Sequence, residues 1–191
     1  MNSDEFFSDV VVKWMCKDIE REIERANDNL DAGNVLCALA LMAYTEVVGR
    51  YVLSLRGSPP NSTECFNFCF KKLGPEYEDF LRKELDNNVK VYDSFRNGLA
   101  HEYFTKVPCT IEMLNTPNTS FEVAGESPAS VERPVRCGIG RAENESYYIV
   151  VEKYIEDFKR ACKEFRSECS GSQAISDIKP SIRSNPSSSG A

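Results

Sequence analysis

The chain has 191 residues, 41% of them hydrophobic and 28% charged, with a formal net charge of -7 and a pI near 4.9. That length and composition suit one ordinary globular domain with a sizeable core. The acidic balance argues against a protein that coats duplex nucleic acid through a broad basic face, because such binding rests on neutralising many phosphates. It leaves room for a small basic cleft on an acidic body. The start, Met1-Asn2-Ser3-Asp4-Glu5, has no basic region leading into an apolar run, so no secretory signal is expected. The longest apolar run, residues 35–44, is short for a bilayer, and its continuation carries Glu46 and Arg50. A soluble, cytoplasmic protein with no membrane partner is the expectation.

Residues 3–30 read as an amphipathic helix with Phe7, Val11, Trp14, Ile19, Ile23, Ala26 and Leu30 as its apolar stripe. Ser3 or Ser8 is placed to cap its start, and Gly33 lies where a C-terminal cap belongs. Asn34 then caps a second helix over 34–56, apolar on nearly every face in its first half and therefore central. Gly57-Ser58-Pro59-Pro60 ends it. Ser62-Thr63-Glu64 opens a third helix, Gly74-Pro75 interrupts it, and Pro75 suits the first turn of the segment through Leu85. Asn87 or Asn88 caps a helix through Phe104, whose apolar line runs through Val91 or Tyr92, Phe95, Leu99 and Tyr103.

Beyond Pro108 the pattern changes. Residues 109–114 read as a strand, 116–134 as a loop rich in Pro, Ser, Thr and Asn, and 135–141 with 146–151 as a hairpin around Glu143-Asn144-Glu145. Helical spacing returns over 152–169, and the Ser-, Gly- and Pro-rich residues 170–191 read as a disordered tail. The fold class is mainly α: an antiparallel bundle of four to five helices over residues 1–169, with a small β-hairpin insert at about 107–151 before the last helix.

Eight cysteines without a signal peptide read as reduced thiols that fill the core. Cys65 and Cys69 stand at helical spacing, but the single histidine lies elsewhere, so no zinc site is expected. Gly138-Ile139-Gly140 is too short to cradle a phosphate. No metal and no cofactor are expected.

The chemistry-bearing stretch is Tyr92-Asp93-Ser94-Phe95-Arg96-Asn97-Gly98-Leu99-Ala100-His101-Glu102-Tyr103-Phe104, which holds that histidine. Histidine suits proton transfer near neutral pH, and arginine is the permanent cation that best matches a phosphate. Asn97 and His101 form an i,i+4 pair able to fix the imidazole tautomer. On a regular helix Arg96 and His101 point about 140° apart. Convergence therefore needs a distortion near Gly98, a long reach by Arg96, or a second copy across a dimer interface. A glycine in a helix interior costs about 1 kcal/mol relative to alanine and has a packing or functional reason. The functional reading is metal-independent attack on an RNA phosphodiester; the plain one is a histidine and an arginine on a solvated face. Glu46 either pairs with Arg96 and positions a substrate hydroxyl, or forms the commoner i,i+4 pair with Arg50. Lys71, Lys72, Lys90 and Lys106 are candidates to line an RNA path or are solvated surface.

The run Arg96-Asn97-Gly98-Leu99-Ala100-His101, late in an all-α chain, resembles the signature of the HEPN superfamily (higher eukaryotes and prokaryotes nucleotide-binding domains). That signature is an arginine, a polar residue and a histidine shortly after. The resemblance covers roughly residues 4–104 and the last helix. It implies a helical bundle, a homodimer that brings two Arg–His pairs into one cleft, and metal-independent endoribonuclease activity, with Arg96, Asn97 and His101 catalytic and RNA as substrate. Arg96, four residues, His101, one residue and Tyr103 is similar to the extended form in HEPN toxins paired with minimal nucleotidyltransferase antitoxins. It implies a toxin or defence role and makes Tyr103 the position that the antitoxin adenylylates. Tyr103 also continues the apolar stripe of Leu99, which is the place of a core tyrosine. The alternative function is a non-catalytic HEPN-like module that binds a nucleotide or a protein partner, with the hairpin as its docking surface.

Overall fold

A computed structural model describes residues 1–57, 59–115, 134–142 and 145–170. The expected loop over 116–134, most of the Glu143–Glu145 turn and the tail beyond Ser170 lie outside those residues. The described residues are mainly helical, with six helices and a small three-stranded sheet.

Helix α1 covers residues 3–27 and is continuous through three pieces, Ser3–Glu5, a π-helical Phe6–Cys16 and an α-helical Lys17–Asn27. Its cap is Asn2 rather than Ser3 or Ser8. The Asn2 side chain accepts from the Glu5 amide at 2.8 Å and the Glu5 carboxylate accepts from the Asn2 amide at 3.0 Å, a capping box. Ser3 is buried and donates to the Cys169 carbonyl at 2.9 Å, which ties the first helix to the last. In the π stretch each turn closes over five residues, and the buried line is Phe6, Val11 and Cys16. Phe7, Val11 and Ile19 of the expected stripe are buried as expected, and two of its members are exposed. Trp14 is turned outward at 45% exposure, and Leu30 lies past the helix end at 55%.

Helix α2 (Asn34–Leu55) is the core helix. By length and composition alone it is long and apolar enough to cross a bilayer. Here Cys37, Ala38, Leu41, Met42, Val48, Tyr51 and Val52 are all buried against other parts of the chain. Asn34 is not its cap; its amide donates to the Ile111 carbonyl at 3.2 Å. Helix α2 packs most extensively against α3 (Ser62–Lys72), and Gly49 sets how closely. A Cβ at Gly49 would sit 1.9 Å from the Cys65 carbonyl oxygen and 3.2 Å from the Cys69 Cβ. Helix α3 starts on Asn61, whose side chain accepts from the Glu64 amide at 3.0 Å. Gly74, at φ 154°, and Pro75 then turn the chain into α4 (Pro75–Asp86).

Helix α5 covers residues 92–102 as a π-helical Tyr92–Asn97 followed by an α-helical Gly98–Glu102. It stops short of the expected Phe104 because Tyr103 adopts a left-handed conformation, φ 62°. Strands β1 (Cys109–Glu112), β2 (Ile139–Arg141) and β3 (Tyr147–Val150) form a sheet in the order β1-β3-β2. The expected hairpin is β2–β3, antiparallel with Ile139 opposite Ile149. β1 joins the other side of β3 in parallel, Cys109 opposite Tyr147. The insert is therefore a mixed sheet rather than a two-stranded hairpin. Strand β3 runs directly into α6 (Val151–Cys169), whose Tyr154, Phe158, Ala161 and Phe165 enter the core. Buried Asp157 accepts from the Tyr77 hydroxyl at 2.9 Å and pairs with Lys153 and Arg160, and Tyr77 in turn accepts from the Gly138 amide at 3.0 Å. That cluster locks α4, the approach to β2, and α6 together.

All eight cysteines are free and seven are buried, Cys109 being intermediate. Burial raises the thiols of Cys16 and Cys37 to about 11 and those of Cys109 and Cys137 to about 12, from an ordinary 9.0. Well below pH 9 folded and unfolded thiols are equally protonated, and at pH 9 the unfolded thiols are already half ionised while the folded ones are not. The unfolded chain loses those protons first, so stability falls as pH rises through 9 toward 12. Equilibrium urea unfolding at pH 7, 9 and 10 is expected to give a midpoint already lower at pH 9 than at pH 7, and lower again at pH 10. Gly49→Ala is expected to destabilise by about 3 kcal/mol or more through overpacking against the Cys65 carbonyl, read as a lower urea midpoint with unchanged slope.

A candidate site around Glu46, Arg96 and His101

The candidate residues fall into two groups. The first is built on Glu46 of α2, which is buried at 8% exposure. Arg96 of α5 pairs with it, Nη2 to Oε2 at 2.9 Å, and Arg50, one helical turn on from Glu46, approaches Oε1 at 3.3 Å. The Tyr92 hydroxyl donates to Oε2 at 3.1 Å, and Arg50 also donates to the Ser62 hydroxyl at 2.7 Å. One carboxylate thus joins α2, the start of α3 and the π stretch of α5. The two expected uses of Glu46, toward Arg96 and toward Arg50, are both realised. Burial, with the Glu46 charge beside it, pushes the Tyr92 phenol above its ordinary range. The Arg96 guanidinium carbon lies 5.5 Å from the Tyr92 ring centroid, and its Nε is buried without a partner among the described residues.

The second group lies at the end of α5. Asn97 does not hold the imidazole of His101. It accepts from Arg96 Nη1 at 3.3 Å and donates to Asp93 at 3.3 Å. Asp93 also accepts from Lys106 at 3.2 Å. The Asn97 amide, and then the Lys106 ammonium, hold the Asp93 carboxyl below its usual range. His101 is exposed and has no hydrogen bond or ion pair among the described residues. Nor does any such contact join it to Arg96 there. In a single chain, then, the arginine is anchored inward and the histidine faces solvent.

Gly98 has a packing reason. A Cβ there would lie 2.6 Å from the Phe104 carbonyl oxygen and 3.0 Å from the Lys106 amide nitrogen, because residues 104–106 fold back along the helix. The Lys106 amide donates to the Ser94 carbonyl at 2.8 Å. Tyr103 is not the core tyrosine that its spacing allows; the left-handed turn leaves it 53% exposed. Of the lysines, Lys71 and Lys90 line an open cavity of about 430 Å³ with Asn67, Leu81, Leu85 and Tyr92, while Lys72 pairs with Glu168. Among the described residues no group of three or more His, Cys, Asp or Glu side chains is arranged to hold a metal ion.

Sequence reasoning missed Tyr92 and Ser62 as members of the Glu46 cluster. Tyr92 reads as a stripe residue, and only its hydroxyl, at the wet end of a buried ring, hints at a polar partner. Removing Glu46 leaves Arg96 and Arg50 facing each other without a counter-charge, so Glu46→Ala is expected to cost about 3 kcal/mol. His101→Ala, on a solvated and unbonded side chain, is expected to cost under about 0.5 kcal/mol. Paired urea titrations check both. No family model, no curated protein and no solved structure matches this chain.

Proposed function

We propose that the chain is an endoribonuclease of HEPN type, an antiparallel helical bundle that acts in the cytoplasm as a homodimer. The observation that carries this reading is the division of labour on α5: a cation held in a fixed pose by Glu46 and Tyr92, and an exposed, unbonded histidine at the same helix's last turn. In the reaction the ribose 2'-oxygen attacks phosphorus as its proton passes to one imidazole. The bond to the 5'-oxygen breaks, and the leaving oxygen takes a proton from the second copy's His101. The products are a 2',3'-cyclic phosphate and a 5'-hydroxyl. Arg96 stabilises the charge that builds on the phosphoryl oxygens, and Asn97 fixes the guanidinium through Nη1. A homodimer supplies both the acid and the base, which one histidine per chain cannot supply together. A half-exposed line on α2, with Leu36 at 59% and Val47 at 41% exposure, supports a second copy as the neighbour. A toxin or defence role, with a nucleotidyltransferase antitoxin that adenylylates Tyr103, is consistent with that residue's accessibility.

The second reading is a non-catalytic module of the same type that binds a nucleotide or a protein. The engagement of Arg96 by Glu46 favours it, since that ion pair must loosen before the guanidinium meets phosphate. The packing role of Gly98 favours it too.

Purified protein in excess EDTA is expected to cut a mixed RNA pool and leave 2',3'-cyclic ends. His101→Ala and Arg96→Ala are expected to lower the rate at least ~100-fold, the order of a lost acid–base or oxyanion group, while helicity and oligomeric state persist. An inactive wild type whose Tyr103 peptide carries no added nucleotide mass, or variants that cut as fast as wild type, would favour the binding module.

A further inference from the structure

Tyr103 and Phe104 follow His101 by two and three residues and are 53% and 71% exposed. Their rings stand edge to face with centroids 5.9 Å apart. A bulky residue in the left-handed region is strained by about 1–3 kcal/mol, and at Tyr103 (φ 62°) no burial of the ring offsets that cost. The backbone beneath the rings is nevertheless fixed. The Phe104 carbonyl lies against Gly98, the Lys106 amide bonds to Ser94, and the Thr105 hydroxyl donates to the Val107 carbonyl at 2.7 Å. The strain thus presents two rigidly based aromatic faces to solvent beside the only histidine.

The geometry points to a stacking platform: Tyr103 and Phe104 take unpaired bases of single-stranded RNA next to the phosphodiester presented to His101. This rests on the ribonuclease reading and names its substrate class. Aromatic faces stack any base without reading its edge, and stacking needs bases free of a duplex. The neighbouring Lys106 is already engaged by Asp93 and Glu102, and the chain as a whole carries -7. Phosphate neutralisation is therefore a poor source of affinity here, and stacking is the term the surface offers.

The test uses the full chain and a short, fully 2'-O-methylated RNA carrying 2-aminopurine, which cannot be cut and whose fluorescence is quenched on stacking. Wild type is expected to bind and quench it. Tyr103→Asn, which keeps the left-handed turn, and Phe104→Ala are each expected to weaken binding about five- to 100-fold and abolish the quench. Tyr103→Phe and Phe104→Tyr should retain both. The platform is overturned if wild type gives no quench, or if Tyr103→Asn and Phe104→Ala bind and quench like wild type. It is also overturned if those two variants convert a wild-type oligomer to monomers, which would make the pair a protein contact. A protein that quenches the probe yet cuts no RNA sinks the ribonuclease reading alone. One that cuts RNA while the Asn and Ala variants still quench sinks the platform alone.

Discussion

The absence of a side chain at Gly49 lets α3 lie directly on α2, with the Cys65 carbonyl where a Cβ would otherwise be. Everything around the candidate site depends on that approach. It brings the first residue of α3, Ser62, within reach of Arg50, and it leaves Phe66 on the same helix to pack edge-on against Tyr92 of α5 at 5.4 Å between centroids. With α3 seated and Tyr92 fixed against it, Glu46 meets both Tyr92 and Arg96. The ion cluster is thus tied to backbone packing, since the α2–α3 contact that seats Ser62 and Phe66 is also part of the apolar core.

A carboxylate shared by two arginines and a tyrosine has two physical consequences that pull apart. It fixes Arg96 by charge and hydrogen bonding, so the guanidinium has already lost conformational freedom. It also neutralises part of the cation's field, so that under the proposed function a phosphate competes with Glu46 for the same group. Arg50 moderates the competition by giving Glu46 a second cation.

Two helices depart from α geometry, and in both the departure has a visible result. In α1 the π stretch aligns Phe6, Val11 and Cys16 on one buried line and turns Trp14 to solvent. In α5 the π stretch ends at Asn97 and the glycine at 98 receives the returning chain, so the helix closes at Glu102 and the aromatic residues emerge in a left-handed turn. Widened turns of this sort are uncommon and cluster at functional sites. In α5 the widened turn carries Tyr92 and Arg96 themselves.

The amino-acid sequence by itself determined the helical class, the central place of α2, the breaks at Gly57 and Gly74, the strand character of residues 109–112 and 147–150, and the helical segment that carries Arg96 and His101. Those features rest on local periodicity, capping chemistry and turn residues, which act over a few neighbours. Only the tertiary structure decided the rest. The change of period in α1 is not announced by local spacing, so Trp14 read as core and is exposed. The parallel pairing of β1 with β3 joins residues far apart in the chain, which no local pattern announces. The reason for Gly98 lies six to eight residues later, in a backbone that folds back on the helix. The polar partners of Glu46 come from α2 itself and from α5, and Arg50 carries the cluster on to Ser62 of α3, which is seated by Gly49, a residue with no polar atom beyond its backbone. A short motif can mark where chemistry-bearing side chains stand, because spacing along one helix is a local property. Which of them are held and which are free depends on the neighbours that packing supplies.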